Sequence, residues 1–480
     1  MPKIILLEPR PPNLHIFSQF YTPRLGTFIL GTLMRGCGWE VEVVIEEWER
    51  IDFEAMRNAD LVGISTITST APRAYAIADR LRSLGVKVMM GGPHVTFLTE
   101  EALAHADFVI RGEGEKALPV FAAAWEKGCG LEDVPNLSYW HDGAICHNPM
   151  LAHVDDLDAI PLPDLNLSEA FRRKSAGKVV IPVQTSRGCP YACSFCSVTG
   201  MFGHKYRFRS TANVMSELSR YDSRRHFIFF YDDNFTHDTE RTKELLRAMI
   251  AARFKFQWSA QVRADVAKDI ELVKLMKKAG CQIVFIGFES VNPQSLRAMK
   301  KGQTVAEIAH AVKVLRRKGI RIHGMFVYGF DEDDWRTVRR TVRFAKKARL
   351  TSSQFMILTP LPGSAFYDKV CDQQRIRFRD WNLYDAHHVV FEPTKLAPLD
   401  LQRAQIYSHK KFYSLATSLR KLINFKWLDI GIAHYARKLN RHWLKVNRTY
   451  LTVLSLLRPR QKNQHVIVDY REEANLDQVS

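Results

Sequence analysis

The chain has 480 residues, 46% hydrophobic and 25% charged, with a formal net charge of +18. That length makes roughly two to four domains, each able to bury its own core, and the composition excludes a collagen-like chain, a disulfide mini-scaffold and a wholly disordered chain. The longest uncharged stretch, 350–367, carries polar residues, two prolines and a glycine, so no membrane span is expected, and the N-terminal apolar run is too short for a signal peptide.

In chain order, residues 3–7 (KIILL), 41–45, 60–64, 86–90 and 108–110 predict five short strands, with helices at 27–33 and 75–84. This alternation predicts βαβ units and a doubly wound parallel sheet over 1–150. Polar or glycine-rich turns follow the strands, where open α/β sheets bind ligands. They supply Ser65 and Thr66, then Gly91, Gly92 and His94, then Gly112 and Glu113 as candidate binding residues. No GxGxxG follows the first strand, so a dinucleotide fingerprint is missing.

Residues 151–178 are expected to be a linker, marked by the Asp- and Pro-rich run 152–166. A second βα series occupies 179–375. Its strand candidates are 179–183, 227–231, 256–260, 283–288, 321–327 and 353–358, with helices such as 243–252 and 305–318 between them. Six such repeats predict a partial barrel with its active site at the carboxyl ends of the strands. From 376 to 480 the βα pattern stops. Ile432, Tyr435, Leu439, Trp443, Val446, Tyr450, Val453 and Leu457 recur at helical spacing and predict one helix, with Arg437, Lys438, Arg441, Lys445 and Arg448 between them. Residues 401–462 hold 14 Lys and Arg against one acidic residue, Asp429, a local excess of +13.

Of the eight cysteines, five are scattered and three fall together in Arg187-Gly188-Cys189-Pro190-Tyr191-Ala192-Cys193-Ser194-Phe195-Cys196. A secreted disulfide framework would be denser, so the usage fits a reducing cytoplasm. The spacing C-x3-C-x2-C sits just after the first barrel strand. Three thiolates on one loop can hold three irons of a [4Fe–4S] cube and leave the fourth open. The alternatives are a zinc loop completed by His204, or three incidental cysteines.

This motif, with Phe195 before its last cysteine, resembles the radical S-adenosylmethionine (SAM) superfamily, over about 179–371. The resemblance implies a [4Fe–4S] cluster on Cys189, Cys193 and Cys196 that cleaves SAM to a 5′-deoxyadenosyl radical. It places Tyr231-Asp232-Asp233-Asn234 where relatives grip the methionine amino group, although the usual Gly-Gly-Glu is replaced here. It also places Arg263 at the cofactor and Glu289 at the ribose. Gly329 falls in the segment His323–Phe330 that borders adenine, and 359–364 resembles a turn of the cobalamin-binding branch.

In one large subgroup a B12-binding domain precedes the barrel, and the glycine turns of 1–150 resemble it. Ser65 and Thr66 would then lie beside the nucleotide tail. The Asp-x-His-x-x-Gly loop that supplies a lower cobalt ligand elsewhere is missing, since His15 follows Asn13-Leu14. His94 is expected to be structural or tail-facing rather than a cobalt ligand.

The favoured function is therefore methyl transfer to an unactivated carbon of a hydrophobic or lipid-like substrate, fed by an electron donor such as flavodoxin or ferredoxin. The alternatives are cobalamin-associated cyclisation without methylation, as in the anaerobic Mg-protoporphyrin ester cyclase, and a non-enzymatic iron–sulfur or corrinoid sensor. The basic C-terminal helix has three readings: a solvated packing face, peripheral contact with anionic membrane, or nucleic acid, which is disfavoured because no recognition fold accompanies the charge.

Overall fold

The computed structural model describes residues 1–12, 22–175, 179–418 and 427–457. His15 lies outside the described residues, as do Arg420, Lys421, Lys426, Arg458, Arg460 and Lys462 of the C-terminal basic excess.

Five parallel strands, β1 (Lys3–Glu8), β2 (Glu40–Ile45), β3 (Leu61–Ser65), β4 (Lys87–Gly91) and β5 (Phe108–Ile110), build the first sheet in the order β2-β1-β3-β4-β5. The order reverses between β1 and β3, which makes their carboxyl ends the ligand-binding crevice of an open sheet. These strands are short apolar runs because both faces are covered. Ile4 and Leu6 enter one core cluster, while Ile5 and Leu7 enter another. The sheet continues into an antiparallel hairpin, β6 (Leu137–His141) and β7 (Ala144–His147), which the strand pattern above does not anticipate. Its turn is Asp142-Gly143, both at positive φ, and Asp-Gly is a strong hairpin signal.

The second series forms β8 (Val180–Val183), β9 (Ser186–Arg187), β10 (Arg207–Phe208), β11 (Phe227–Phe230), β12 (Gln257–Val262), β13 (Cys281–Glu289), β14 (Arg321–Tyr328) and β15 (Ser352–Ile357). β8, β11, β12, β13, β14 and β15 pair in that sequence as six parallel strands, an open partial barrel. β9 and β10 form a separate two-rung antiparallel ladder. Helices such as Thr239–Ala251, Ile270–Lys278, Val305–Arg317 and Trp335–Lys347 follow successive barrel strands.

The C-terminal region is helical, and it covers the barrel's exposed last strand. From the helix Pro398–Phe412 and its end, Tyr413 offers its hydroxyl to Ser353 O at 2.7 Å and takes Ser353 N–H at 2.9 Å. His409 lies 3.1 Å from Phe355 O. Side chains thus occupy backbone groups that an edge strand would otherwise present. The single helix expected over the 432–457 stripe is instead two, Trp427–Val446 and Arg448–Leu456. Asn447 breaks them: its backbone leaves helical geometry, and its amide joins His388 Nε2 at 2.8 Å and Trp443 O at 3.1 Å. Beyond the break, Tyr450 and Leu454 enter a small core with Phe378, Leu383, Tyr384 and Val390. Among the described residues no helix is long and apolar enough to cross a membrane.

Candidate active site

The carboxyl ends of the two sheets face each other. Phe97, past β4, packs so closely on Gly200 of the cysteine loop and Gly363 beyond β15 that neither glycine position has room for a side chain. Glu113, past β5, pairs with Arg207 and Arg187 at the base of the cysteine loop. Tyr231, at the end of β11 and 37% exposed, lies within the electrostatic reach of Arg24 and Glu8 from the mouth of the first sheet.

The cysteine loop is closed at its base by the β9–β10 ladder. Gly188 enters it at φ +84, where a side chain would overlap Lys205 O. Ser194 N–H donates to Met299 O at 3.2 Å, and Phe366 N–H to Ser194 O at 2.8 Å, which ties the loop to segments beyond β13 and β15. Cys189, Cys193 and Cys196 are all free thiols and partly buried. Burial pushes Cys196 up to about 12 and Cys189 upward, with the negative field of Asp233 and of neighbouring sulfurs adding to it. Bound positive charge, which cluster irons would supply, favours the thiolate and opposes this rise. Among the described residues no three His, Cys, Asp or Glu side chains converge on one metal ion, and His204 is exposed. Three thiolates on one loop can each serve a separate iron of a cube.

The sequence-predicted partners fall into two groups. Asp232 is fully buried and accepts hydrogen bonds from Thr185 N at 3.1 Å, Thr185 Oγ1 at 3.0 Å and Ser186 Oγ, so it fastens the end of β8 rather than opening to the loop. Asp233 is exposed to the interior space and is felt by Cys189 and Cys196. Surrounding protein, and then Asp232, push its carboxyl up to about 7. Arg263 stacks 3.7 Å above the Tyr191 ring and donates to Lys301 O at 2.6 Å. Glu289 sits at φ +58 where the β13 register shifts, and accepts a 2.7 Å bond from Lys301 Nζ. Gly329 follows β14 at φ +117 and donates its N–H to buried Asp333 at 3.1 Å.

Lys301 escaped the sequence reading. It is nearly buried, its charge faces Glu289 and Cys193, and it lies 6.0 Å from the Phe195 ring centre. Its position beyond the strand that ends in Glu289 was the only signal available.

In the first domain, Arg24 donates to Ser65 O at 2.6 Å and lies 3.6 Å from buried Glu8. Gly92 has φ +104, and a side chain there would strike Thr66 O. Thr66 N–H donates to Gly91 O at 2.8 Å, and Gly112 N–H to Thr96 Oγ1 at 2.9 Å. The glycines thus let the turns pack on one another. His94 is fully buried, 3.1 Å from Tyr75 OH and 3.5 Å from Glu101, with Trp381 edge-on at 5.1 Å. Glu113 has both oxygens on arginines.

Comparison with known proteins adds to this geometry. Residues 183–345 match the radical SAM superfamily model and residues 17–122 the B12-binding domain model. An uncharacterized methyltransferase of Pyrococcus horikoshii is 33% identical over 332 residues, 68% of this chain and 72% of that protein. The bacteriochlorophyllide d C-12(1)-methyltransferase of Chlorobaculum tepidum is 29% identical, covering 79% and 81%. The structure of the radical SAM methyltransferase TsrM from Kitasatospora setae, with cobalamin and [4Fe–4S] cluster bound, shares the fold at a TM-score of 0.65 and 20% identity, over 78% of this chain and 75% of that one. A cysteine loop built for a cube, facing the crevice of the first sheet, in the region that matches the B12-binding model, places this chain in the cobalamin-dependent radical SAM methyltransferase family, whose cofactors are a [4Fe–4S] cluster, SAM and cobalamin.

Proposed function

We propose that this enzyme methylates an unactivated carbon of an apolar, lipid-like molecule held in the barrel lumen. The lining of that lumen carries the proposal. Register sets Phe229, Ser259 and Ile283 side by side, then Gln261, Phe285 and His323, then Gly287, Met325 and Gln354. A closed barrel packs such positions solidly. Here Phe229, Phe285, Met325 and Met356 stay partly exposed, while Phe230, Ile286 and Phe326, which point outward, are fully buried. Between Arg321 at one rim and Asp233 at the mouth, no inward position among the described residues carries charge, since burial pushes His323 down to about 3. An aromatic and thioether wall with amide groups from Gln261 and Gln354 suits a mostly apolar ligand with a few polar handles.

Cys189, Cys193 and Cys196 hold the cluster. When bound, cluster, SAM and cobalamin supply a 5′-deoxyadenosyl radical and a transferable methyl group. Asp233 receives the SAM ammonium. Lys301 and Arg263 would hold the SAM carboxylate, and Glu289, already bonded to Lys301, would hold the ribose. Gly329 turns the chain away at the adenine edge. Ser65, Thr66, Gly91, Gly92 and Gly112 would hold the corrinoid, while Asp232, His94 and Glu113 hold the scaffold.

The electron donor is a flavodoxin or ferredoxin, and the compartment is a reducing cytoplasm, in keeping with eight free cysteines. Lys438, Arg441 and Lys445 are exposed at helical spacing on Trp427–Val446, Arg448 is exposed beyond the break, and Val446 and Leu456 expose apolar surface at 51% and 74%. This combination supports peripheral contact with anionic lipid. Arg437 does not belong to that face, because it donates to Tyr413 O at 3.0 Å and Ser418 Oγ at 2.7 Å.

The test is anaerobic turnover with reductant, cobalamin, methyl-deuterated SAM and a solvent extract of the host's lipids. Deuteromethyl in the lipid-soluble fraction, together with 5′-deoxyadenosine, is expected. Label confined to the aqueous fraction overturns the substrate class.

A further inference from the structure

Arg187 and Arg207 are partners across the ladder that closes the cysteine loop, and both reach the same carboxylate in the other domain. Arg207 forks onto Glu113, Nη1 to Oε2 at 2.9 Å and Nη2 to Oε1 at 2.7 Å, and also donates to Val154 O at 2.6 Å and Phe202 O at 3.1 Å. Arg187 lies 3.4 Å from Glu113 and 2.7 Å from Glu115. All four side chains are less than 10% exposed. Two positive and two negative charges are thereby sealed between the domain that matches the B12-binding model and the base of the loop that carries the three cysteines.

A buried, balanced ion cluster adds little net stability, because desolvation offsets most of its attraction. It does have direction. A bidentate Arg–carboxylate fork holds only in one plane and one register, whereas apolar contacts such as Phe97 on glycine can slide. Interfaces between domains of one chain move by default unless something fixes them. The fork grips the loop at its base, where Arg187 stands two residues before Cys189 and pairs with Arg207 across the ladder, so a tilt there moves the start of the cysteine segment.

The geometry points to Glu113 as the positioning residue that sets the separation between the iron–sulfur cluster and cobalamin, acting through Arg207 and Arg187. It touches neither cofactor. This inference rests on the family assignment, which supplies both cofactors, and not on the identity of the substrate.

The test uses the full chain loaded with both groups and reduced to the paramagnetic cluster and cob(II)alamin forms, with the distance between the two spins read by pulsed dipolar EPR. The unaltered protein should give one narrow distance. Glu113→Gln, which keeps the shape but discharges the fork, should broaden that distribution at least twofold. Arg207→Lys keeps the charge and loses the fork, and should broaden it likewise. If Glu113→Gln fails to load either cofactor, the Arg207→Lys result decides. A lowered melting temperature with an unchanged, narrow distance in the variants that load would make the cluster a plain staple and overturn the proposal.

Discussion

Asp232 and Asp233 are consecutive residues with opposite surroundings: Asp232 is fully buried on the hydroxyls and backbone at the end of β8, while Asp233 is exposed and near enough to Cys189 and Cys196 for its charge to raise both thiols. One strand end therefore carries a structural carboxylate and the carboxylate proposed for the SAM ammonium. Asp232→Asn should cost about 1–3 kcal/mol, since an amide cannot accept all the bonds that the carboxylate accepts. Asp233→Asn should leave the melting temperature within a degree or so and weaken SAM binding about 10–100-fold, the loss of one charge-assisted hydrogen bond. Thermal unfolding and SAM titration of the two variants separate these roles. The reverse pattern would exchange them.

Lys301 pairs with Glu289 in a nearly dry setting. Lys301→Gln alone strands a buried carboxylate and should cost about 3–5 kcal/mol, while the double change Lys301→Gln/Glu289→Gln should recover most of that stability. SAM affinity should stay low in both. Full SAM binding in the double variant would mean that neither side chain touches SAM.

The lumen should reject charge. Met356→Glu places a carboxylate in the apolar wall, and the ratio of methylated product to 5′-deoxyadenosine should fall at least tenfold. Quantifying both compounds in one reaction is the check. An unchanged ratio would place the substrate elsewhere.

Replacing Lys438, Arg441, Lys445 and Arg448 by Gln should abolish flotation with anionic vesicles at low salt. Each basic residue near such a surface contributes on the order of 1 kcal/mol, and screening makes the attraction salt-sensitive. Equal flotation with neutral vesicles, or no effect of the substitutions, would return this face to plain packing.

Much of this was legible in the sequence, for physical reasons. Parallel strands such as β1 and β13 are near-continuous apolar runs, which stand out without tertiary knowledge. The cysteine loop announces itself by spacing. What stayed hidden depends on partners far along the chain. Asn447 breaks the last helix because His388, 59 residues away, meets its amide. Glu113 reads as a ligand residue until Arg207, 94 residues on, takes both of its oxygens. Asp232 and Asp233 are indistinguishable in sequence, and only the pleat at the end of β11 separates them. The β6–β7 hairpin is different, since Asp142-Gly143 marked it locally.

The most direct measurement is an anaerobic reaction of reconstituted enzyme with SAM, reductant and cobalamin, run for the unaltered chain and for Cys189→Ala, Cys193→Ala and Cys196→Ala. The unaltered chain should give a cluster signal in EPR, retained corrinoid and 5′-deoxyadenosine. All three variants should lose the cluster and SAM cleavage, while Cys37→Ala and Cys371→Ala keep both. SAM cleavage that survives in Cys193→Ala would contradict the assignment of the site.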